Sequence, residues 1–302
     1  MSATPSRTGL GLGVAAYVLW GAFPLYFPLL EPSGAVEILG HRIVWSAATM
    51  GVLVLALRKV HGVRAILADR RTTLLLVVAA VTITSNWGTY IYGVTSEHVV
   101  ETSLGYFINP LVTVLMGVLI LGERLRPLQW AALGIGFVAV VVLTWNYGRL
   151  PWIALVLAFS FGTYGLAKKS AGVGAIESLT FETAVLAPFA LAYLVWLGPE
   201  GHFTDQGAGH LALLLSTGIV TAVPLLCFGG AATRISMTSL GLLQYLAPIL
   251  QFALGITVLG EHMPATRWIG FALVWLALAI FTAEALHMHR RQLALVAEAS
   301  AA

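Results

Sequence analysis

Glu37, His41 and Arg42 stand together in the run Glu37-Ile-Leu-Gly-His41-Arg42, inside an otherwise apolar stretch. In a helix, Glu37 and His41 are one turn apart on one face, with Arg42 beside them. A carboxylate, an imidazole and a guanidinium so placed could bind a solute, gate a passage or relay a proton. A charge held at the depth of lipid costs about 2.5 to 3.5 kcal/mol, so its presence asks for a function. His41 and Arg42 lie deeper than Glu37 and are expected to serve a cavity or a gate, or to form a structural hydrogen-bonded pair. Glu37 has a second reading: three residues after Gly34, it would sit in the first helical turn and complement the free amides and the dipole. Glu177 follows Gly174 by the same spacing, so capping accounts for both. Glu182 is a candidate proton-coupling carboxylate, because a buried carboxyl can exchange a proton near neutral pH.

Other polar groups fall on helical stripes. Asn86 and Tyr90 are four apart, and Gln244 and Gln251 are seven apart. Lining a wet cavity and bonding helix to helix are both open to them. Pro24, Pro28, Pro110, Pro224 and Pro248 free backbone carbonyls and permit bends. Other chemistry is missing. No Gly-Lys pair exists to build a phosphate-binding loop, and there is no His-Glu-x-x-His, no Gly-x-Ser-x-Gly and no EF-hand pattern. A lone Cys227 and one His clearly inside a span make a metal site implausible, so no cofactor is expected and an enzyme is disfavoured.

The elements that must position these residues are membrane spans. The chain has 59% hydrophobic and 10% charged residues with a mean hydropathy of +0.89, against about 25% charged in a soluble globule. Ten apolar stretches can be read, near 10–30, 36–57, 72–94, 99–121, 127–145, 150–169, 176–197, 209–231, 236–259 and 265–286. Each is about the ~20 residues that cross a ~30 Å hydrocarbon core. The fifth and tenth are almost wholly apolar, as for lipid-facing or scaffold helices. With the N-terminus in the cytoplasm, thirteen of the 16 Lys and Arg fall on the inside and two, Arg149 and Arg267, on the outside. This asymmetry accounts for the net charge of +3 without nucleic acid. The expected location is therefore the plasma (inner) membrane, multi-pass, with both termini cytoplasmic.

The chain also repeats itself. Pro110, Gly117, Leu121-Gly122-Glu123 and Trp130 return as Pro248, Gly255, Leu259-Gly260-Glu261 and Trp268 at a constant spacing of 138. Five spans per copy, an odd number, make the copies cross in opposite senses, the architecture of alternating-access transporters. The expected fold is all-α, with ten transmembrane helices as two inverted five-helix repeats, 10–145 and 150–286, and a short cytoplasmic tail, 287–302. Glu182 stands where Arg42 stands in the first copy. Each lies about 9 Å from its own helix start, but on opposite faces, so about 12 Å of depth separates them and no pairing is expected.

The Leu-Gly-Glu closures resemble those of EamA-type members of the drug/metabolite transporter superfamily. The runs Trp20-Gly21, Glu37-x3-His41-Arg42, Asn86-Trp87 and Gly105-Tyr106-Phe107-Ile108-Asn109-Pro110 are similar to its RarD subgroup, over nearly the whole chain. The resemblance implies a secondary exporter of small metabolites or drugs, amino-acid-like or phenicol-like, with a cavity between the halves. By position it implies Trp20, Tyr26, His41, Arg42, Asn86, Tyr90, Tyr106 and Asn109 as cavity residues. Gln244 joins them as a polar residue of the ninth span, with Glu37, Glu177 and Glu182 as coupling or gating carboxylates. The expected partners are the bilayer, a small-molecule substrate and, for coupling, protons. The second copy departs from the first, with Phe161 for Trp20 and Ala247 for Asn109, which puts substrate contacts mainly in the first half. A membrane-embedded enzyme or a non-transporting sensor are the alternatives; the first lacks a nucleophile with its base, the second an output domain.

Overall fold

The computed structural model describes residues 7–121, 124–232, 234–235 and 237–301. Gly122 and Glu123, two of the three residues of the first Leu-Gly-Glu closure, lie outside them. The described residues form helices and no strand: α1 (Arg7–Gly21), α2 (Phe23–Tyr26), a 3-10 turn (Phe27–Leu30), α3 (Ala35–Ala56), α4 (Val60–Ala68), α5 (Arg70–Thr95), α6 (Val99–Leu121), α7 (Pro127–Tyr147), α8 (Trp152–Ala171), α9 (Ala175–Leu197), a second 3-10 turn (Gly198–Glu200), α10 (Gly207–Ala232), α11 (Met237–Leu243), α12 (Leu246–Thr257) and α13 (Ala265–Ala301). Among the described residues, eight helices are long and apolar enough to cross a membrane, or nine if α1 and the segment Phe23–Leu30 count as one. The sequence expectation was ten. The sixth stretch, α8, has the length but ends on Lys168 and Lys169, which lower its hydropathy.

Local chemistry explains most boundaries. The first span bends by 43° after Gly21, where Pro24 enters the first turn of α2 and Pro28 that of the 3-10 segment. Asp69 starts α5 by accepting the amides of Arg71 and Thr72, and the hydrogen bonds from Thr72 hold its carboxyl below the usual range. Gly148 and Gly172, both at positive φ, end α7 and α8. Two boundaries differ from expectation. The ninth span is interrupted at Gln244-Tyr245, between α11 and α12, and α13 continues to Ala301 where a tail was expected after 286. Residues 287–301 contain neither Gly nor Pro and are rich in Ala and Leu, so nothing ends the helix.

Helix pairing is selective. α5 and α6 pack on α8, α3 on α9 and α10, α1 on α10 and α12, α6 on α12, and α7 on α13. Phe107, Leu111, Leu143, Phe252 and Phe271 anchor the core that joins α6, α7, α12 and α13. α7 turns Phe137, Val141 and Trp145 outward, as the sequence suggested for its fifth span. Close approach depends on small residues: a Cβ on Gly105 would stand 2.8 Å from the Ala154 carbonyl, and one on Gly218 would overlap the Trp45 carbonyl.

Candidate functional site

Arg42 is a charged residue held in the protein interior. It is 4% exposed, two turns into α3. Its guanidinium carbon lies 4.3 Å from the Trp87 ring centroid, 5.4 Å from Phe23 and 5.6 Å from Phe27. Its Nε donates to Thr221 Oγ1 on α10 at 3.0 Å, the single hydrogen bond it makes among the described residues. No carboxylate among them forms an ion pair with it. The ionisable groups near enough to feel its charge are the phenols of Tyr106, Tyr90 and Tyr26. Cation–π contacts of about 0.5 to 2 kcal/mol each are of the same order as the cost of placing a charge at this depth.

The surrounding wall is polar and mostly satisfied. Tyr106 Oη donates to Asn86 Oδ1 at 3.0 Å, and Asn86 Nδ2 donates to the Leu157 carbonyl at 3.0 Å and Ser160 Oγ at 3.1 Å. Asn109 Nδ2 donates to the Ala158 carbonyl at 3.0 Å. Tyr26 Oη reaches the Leu213 carbonyl and Ser216 Oγ, both at 2.8 Å. Tyr90 is the exception. It is 3% exposed, packs against Phe23, Phe27 and Tyr106, and its hydroxyl has no partner among the described residues.

The structure thus gathers five of the residues singled out from sequence, Tyr26, Arg42, Asn86, Tyr90 and Tyr106, with Asn109 one turn on from Tyr106. Trp20 borders this group, its ring edge-on to Tyr17 and tilted to Phe228, and its carbonyl accepts from Gln251 at 3.2 Å. Others lie apart. Gln244 sits in the break of the ninth span, beside Tyr245. His41 leaves the Arg42 group: its ring lies flat on Phe203 with centroids 4.8 Å apart, and its Nδ1 accepts from Trp45 Nε1. Sequence reasoning missed Phe23, Phe27 and Thr221 altogether. Trp87 could have been found, since it stands one residue after Asn86 and one turn before Tyr90.

The three carboxylates have partners that the sequence did not point to. Glu37 does not cap its own helix. Its carboxylate accepts the backbone N–H of His202 at 2.6 Å and meets the His202 ring Nδ1 at 3.0 Å. That hydrogen bond raises the pKa of His202 above the ordinary histidine value. Glu177 pairs with Lys59 at 2.8 Å. Glu182 is no free carboxyl; Lys168 Nζ lies 2.9 Å from it and Tyr164 Oη donates to it at 3.3 Å. Arg42 is not among its partners in the described residues.

Connectivity turns two of these pairs into a geometry. Glu37 opens α3 and holds His202, which follows the end of α9; Glu177 opens α9 and holds Lys59, which follows the end of α3. α3 and α9 pack together, so they run antiparallel and the two links lie at opposite ends. At 1.5 Å per residue over the 22 residues of α3, the ends are about 30 Å apart. Arg42 lies between the links, nearer the Glu37 end. A third carboxylate, Glu261 of the second Leu-Gly-Glu closure, accepts the amides of Val99 and Val100 and so caps α6 from the other half of the chain.

Comparison with known proteins follows the same outline. The EamA-like transporter family model matches residues 7–145 and again 150–283. "Protein RarD" of Streptomyces exfoliatus is 57% identical over 94% of this chain and 91% of its own. "Protein RarD" of Escherichia coli is 42% identical over 96% and 99%, and "Chloramphenicol-sensitive protein RarD" of Pseudomonas aeruginosa is 31% identical over 95% and 97%. A crystal structure shares the fold with a TM-score of 0.60 at 19% identity, covering 94% of this chain and 99% of that one. The chain belongs to the EamA-like transporter family and is a multi-pass membrane protein.

Proposed function

We propose that this member of the EamA-like transporter family is a secondary exporter of the inner membrane that moves a small metabolite or drug by alternating access. Its ten spans form two inverted five-helix repeats, 10–145 and 150–286, with both termini in the cytoplasm. Support for the repeat comes from three observations. The family matches the chain twice. The helix pairings survive exchange of the halves: α5 on α8 becomes α10 on α1, α6 on α8 becomes α12 on α1, and α3 on α10 becomes α9 on α5. Gly21 approaches α12 at Leu250 and its counterpart Gly162 approaches α6 at Met116, both too closely for an unadjusted side chain.

The observation that carries the transport reading is the placement of a sealed, partly unsatisfied polar group, Arg42 with Tyr90, between two links at opposite ends of one helix pair. Opening Glu37 from His202 releases one end; opening Glu177 from Lys59 releases the other. Alternating access requires that the two not open together. Glu37 and Glu177 act as gates in this scheme. Lys168 and Glu182, beside the Glu177 end, are the groups through which protons would couple to that gate. Substrate passes Tyr26, Arg42, Asn86, Tyr90, Tyr106 and Asn109, with Trp20 at their edge.

The test is flux in proteoliposomes, using amino acids, nucleosides and phenicols with and without a pH gradient. Phenicols belong in the panel because of the name of one relative. Arg42→Ala and Asn109→Ala are expected to abolish gradient-dependent movement while the protein still folds. Unchanged flux in both variants removes the site assignment.

A further inference from the structure

We infer that the Arg42 site takes a small organic monocarboxylate, its carboxylate held by the Arg42 guanidinium and the Tyr90 hydroxyl and its body against aromatic rings. This rests on the transport reading and specifies its substrate class. A guanidinium carries five N–H donors, and among the described residues only the Nε–H of Arg42 has an acceptor, Thr221. The rings of Trp87, Phe23 and Phe27 neutralise its field through their faces, but an aromatic ring accepts none of the in-plane hydrogen bonds that the outer edge of the guanidinium offers. That edge is a fork suited to two parallel bonds to one carboxylate.

Tyr90 is a second and independent sign. Its hydroxyl is buried and unpartnered, while the neighbouring Tyr106 and Tyr26 hydroxyls are bonded. For packing against Phe23, Phe27 and Tyr106 a phenylalanine would serve equally, so the hydroxyl is unexplained unless a ligand meets it. Charge selects the class. Lys168 is engaged with Glu182, and His41 turns away onto Phe203, so the site presents a single positive charge. A monoanion balances it, a dianionic phosphate would bring one charge too many, and a cation would meet repulsion.

The test uses the full-length protein purified in detergent and binding measured by ligand-induced thermal stabilisation. The probes are acetate, benzoate, phenylacetate, 4-hydroxyphenylacetate and phenylalanine, each paired with its primary amide. At least one acid is expected to bind at least about tenfold more tightly than its amide, because the amide forfeits charge-assisted bonds. Arg42→Gln is expected to erase that preference and Tyr90→Phe to reduce it. The acid-to-amide comparison in the unmutated chain stands even where a variant does not fold. Amides binding as well as acids in every pair, or no acid of the panel binding, overturns the inference. Flux separates the two claims: movement of neutral compounds with acids excluded leaves the transporter standing and removes the carboxylate, whereas tight acid binding without any flux removes the transporter.

Discussion

Replacing Glu37 by Gln perturbs one end of the molecule and leaves its shape. The carboxylate accepts two hydrogen bonds, from the His202 backbone at 2.6 Å and from its ring at 3.0 Å. An amide oxygen can keep the first, but a hydrogen bond to a charged acceptor is worth about 1.5 to 3 kcal/mol and a neutral one about 0.5 to 1.5. The ring bond is discounted, since the His202 side chain is 29% exposed and exposed ion pairs contribute about 0 to 1 kcal/mol. The link should weaken by about 1 to 2 kcal/mol, so that the open form at this end becomes about 5- to 30-fold more populated. Hydrogen–deuterium exchange of 198–206 should accelerate by that factor, with 57–69 unaffected. Its pH course follows from His202, whose pKa is raised first by its hydrogen bond to Glu37 and further by the charges of Glu37 and Asp205. Because the closed form has the higher pKa, its extra stability is complete below the ordinary histidine value of about 6.5 and is lost as pH rises through the raised value. Protection of 198–206, corrected for intrinsic exchange, should fall over that window in the unmutated chain and stay flat in Glu37→Gln. Equal protection in both proteins at every pH refutes the link.

The opposite end offers the complementary perturbation. Lys59→Met removes the partner of Glu177 and should raise exchange in 57–69 while 198–206 is unchanged, as measured in the same experiment. Glu261→Gln should fray the first turn of α6, speeding exchange at Val99 and Val100 and costing about 0.5 to 2 kcal/mol of stability, read as a lower denaturation midpoint.

The character of the fold was legible because each apolar stretch announces itself locally, as does the kink that Pro24 and Pro28 impose on the first span. The interruption at Gln244-Tyr245 was not, since no proline or glycine occupies it. The burial of Arg42 could be read from its distance into the second apolar stretch, and Asn86, Tyr90 and Tyr106 from their motifs. The partners could not. Glu37 reaches His202 across 165 residues and Glu177 reaches Lys59 across 118, between helix starts and connections that carry no pattern linking them. The first-turn position of Glu37 and Glu177 suggested self-capping, a local solution, whereas each carboxylate serves another segment. The partner of Glu182 was hidden in the same way: Lys168 read as a topological charge at a helix end, and its side chain turns back into the protein to meet the carboxylate.

The central claim is that the two linked ends open in turn around the Arg42 site. It is tested most directly by covalently tying each end, using Glu37→Cys with His202→Cys and, separately, Lys59→Cys with Glu177→Cys, in a chain with Cys227 replaced by Ala. Each pair is joined by a short cleavable thiol cross-linker and flux is followed in proteoliposomes. Either tie alone should stop flux, and cleavage should restore it. Undiminished flux with one end fully cross-linked would contradict the account.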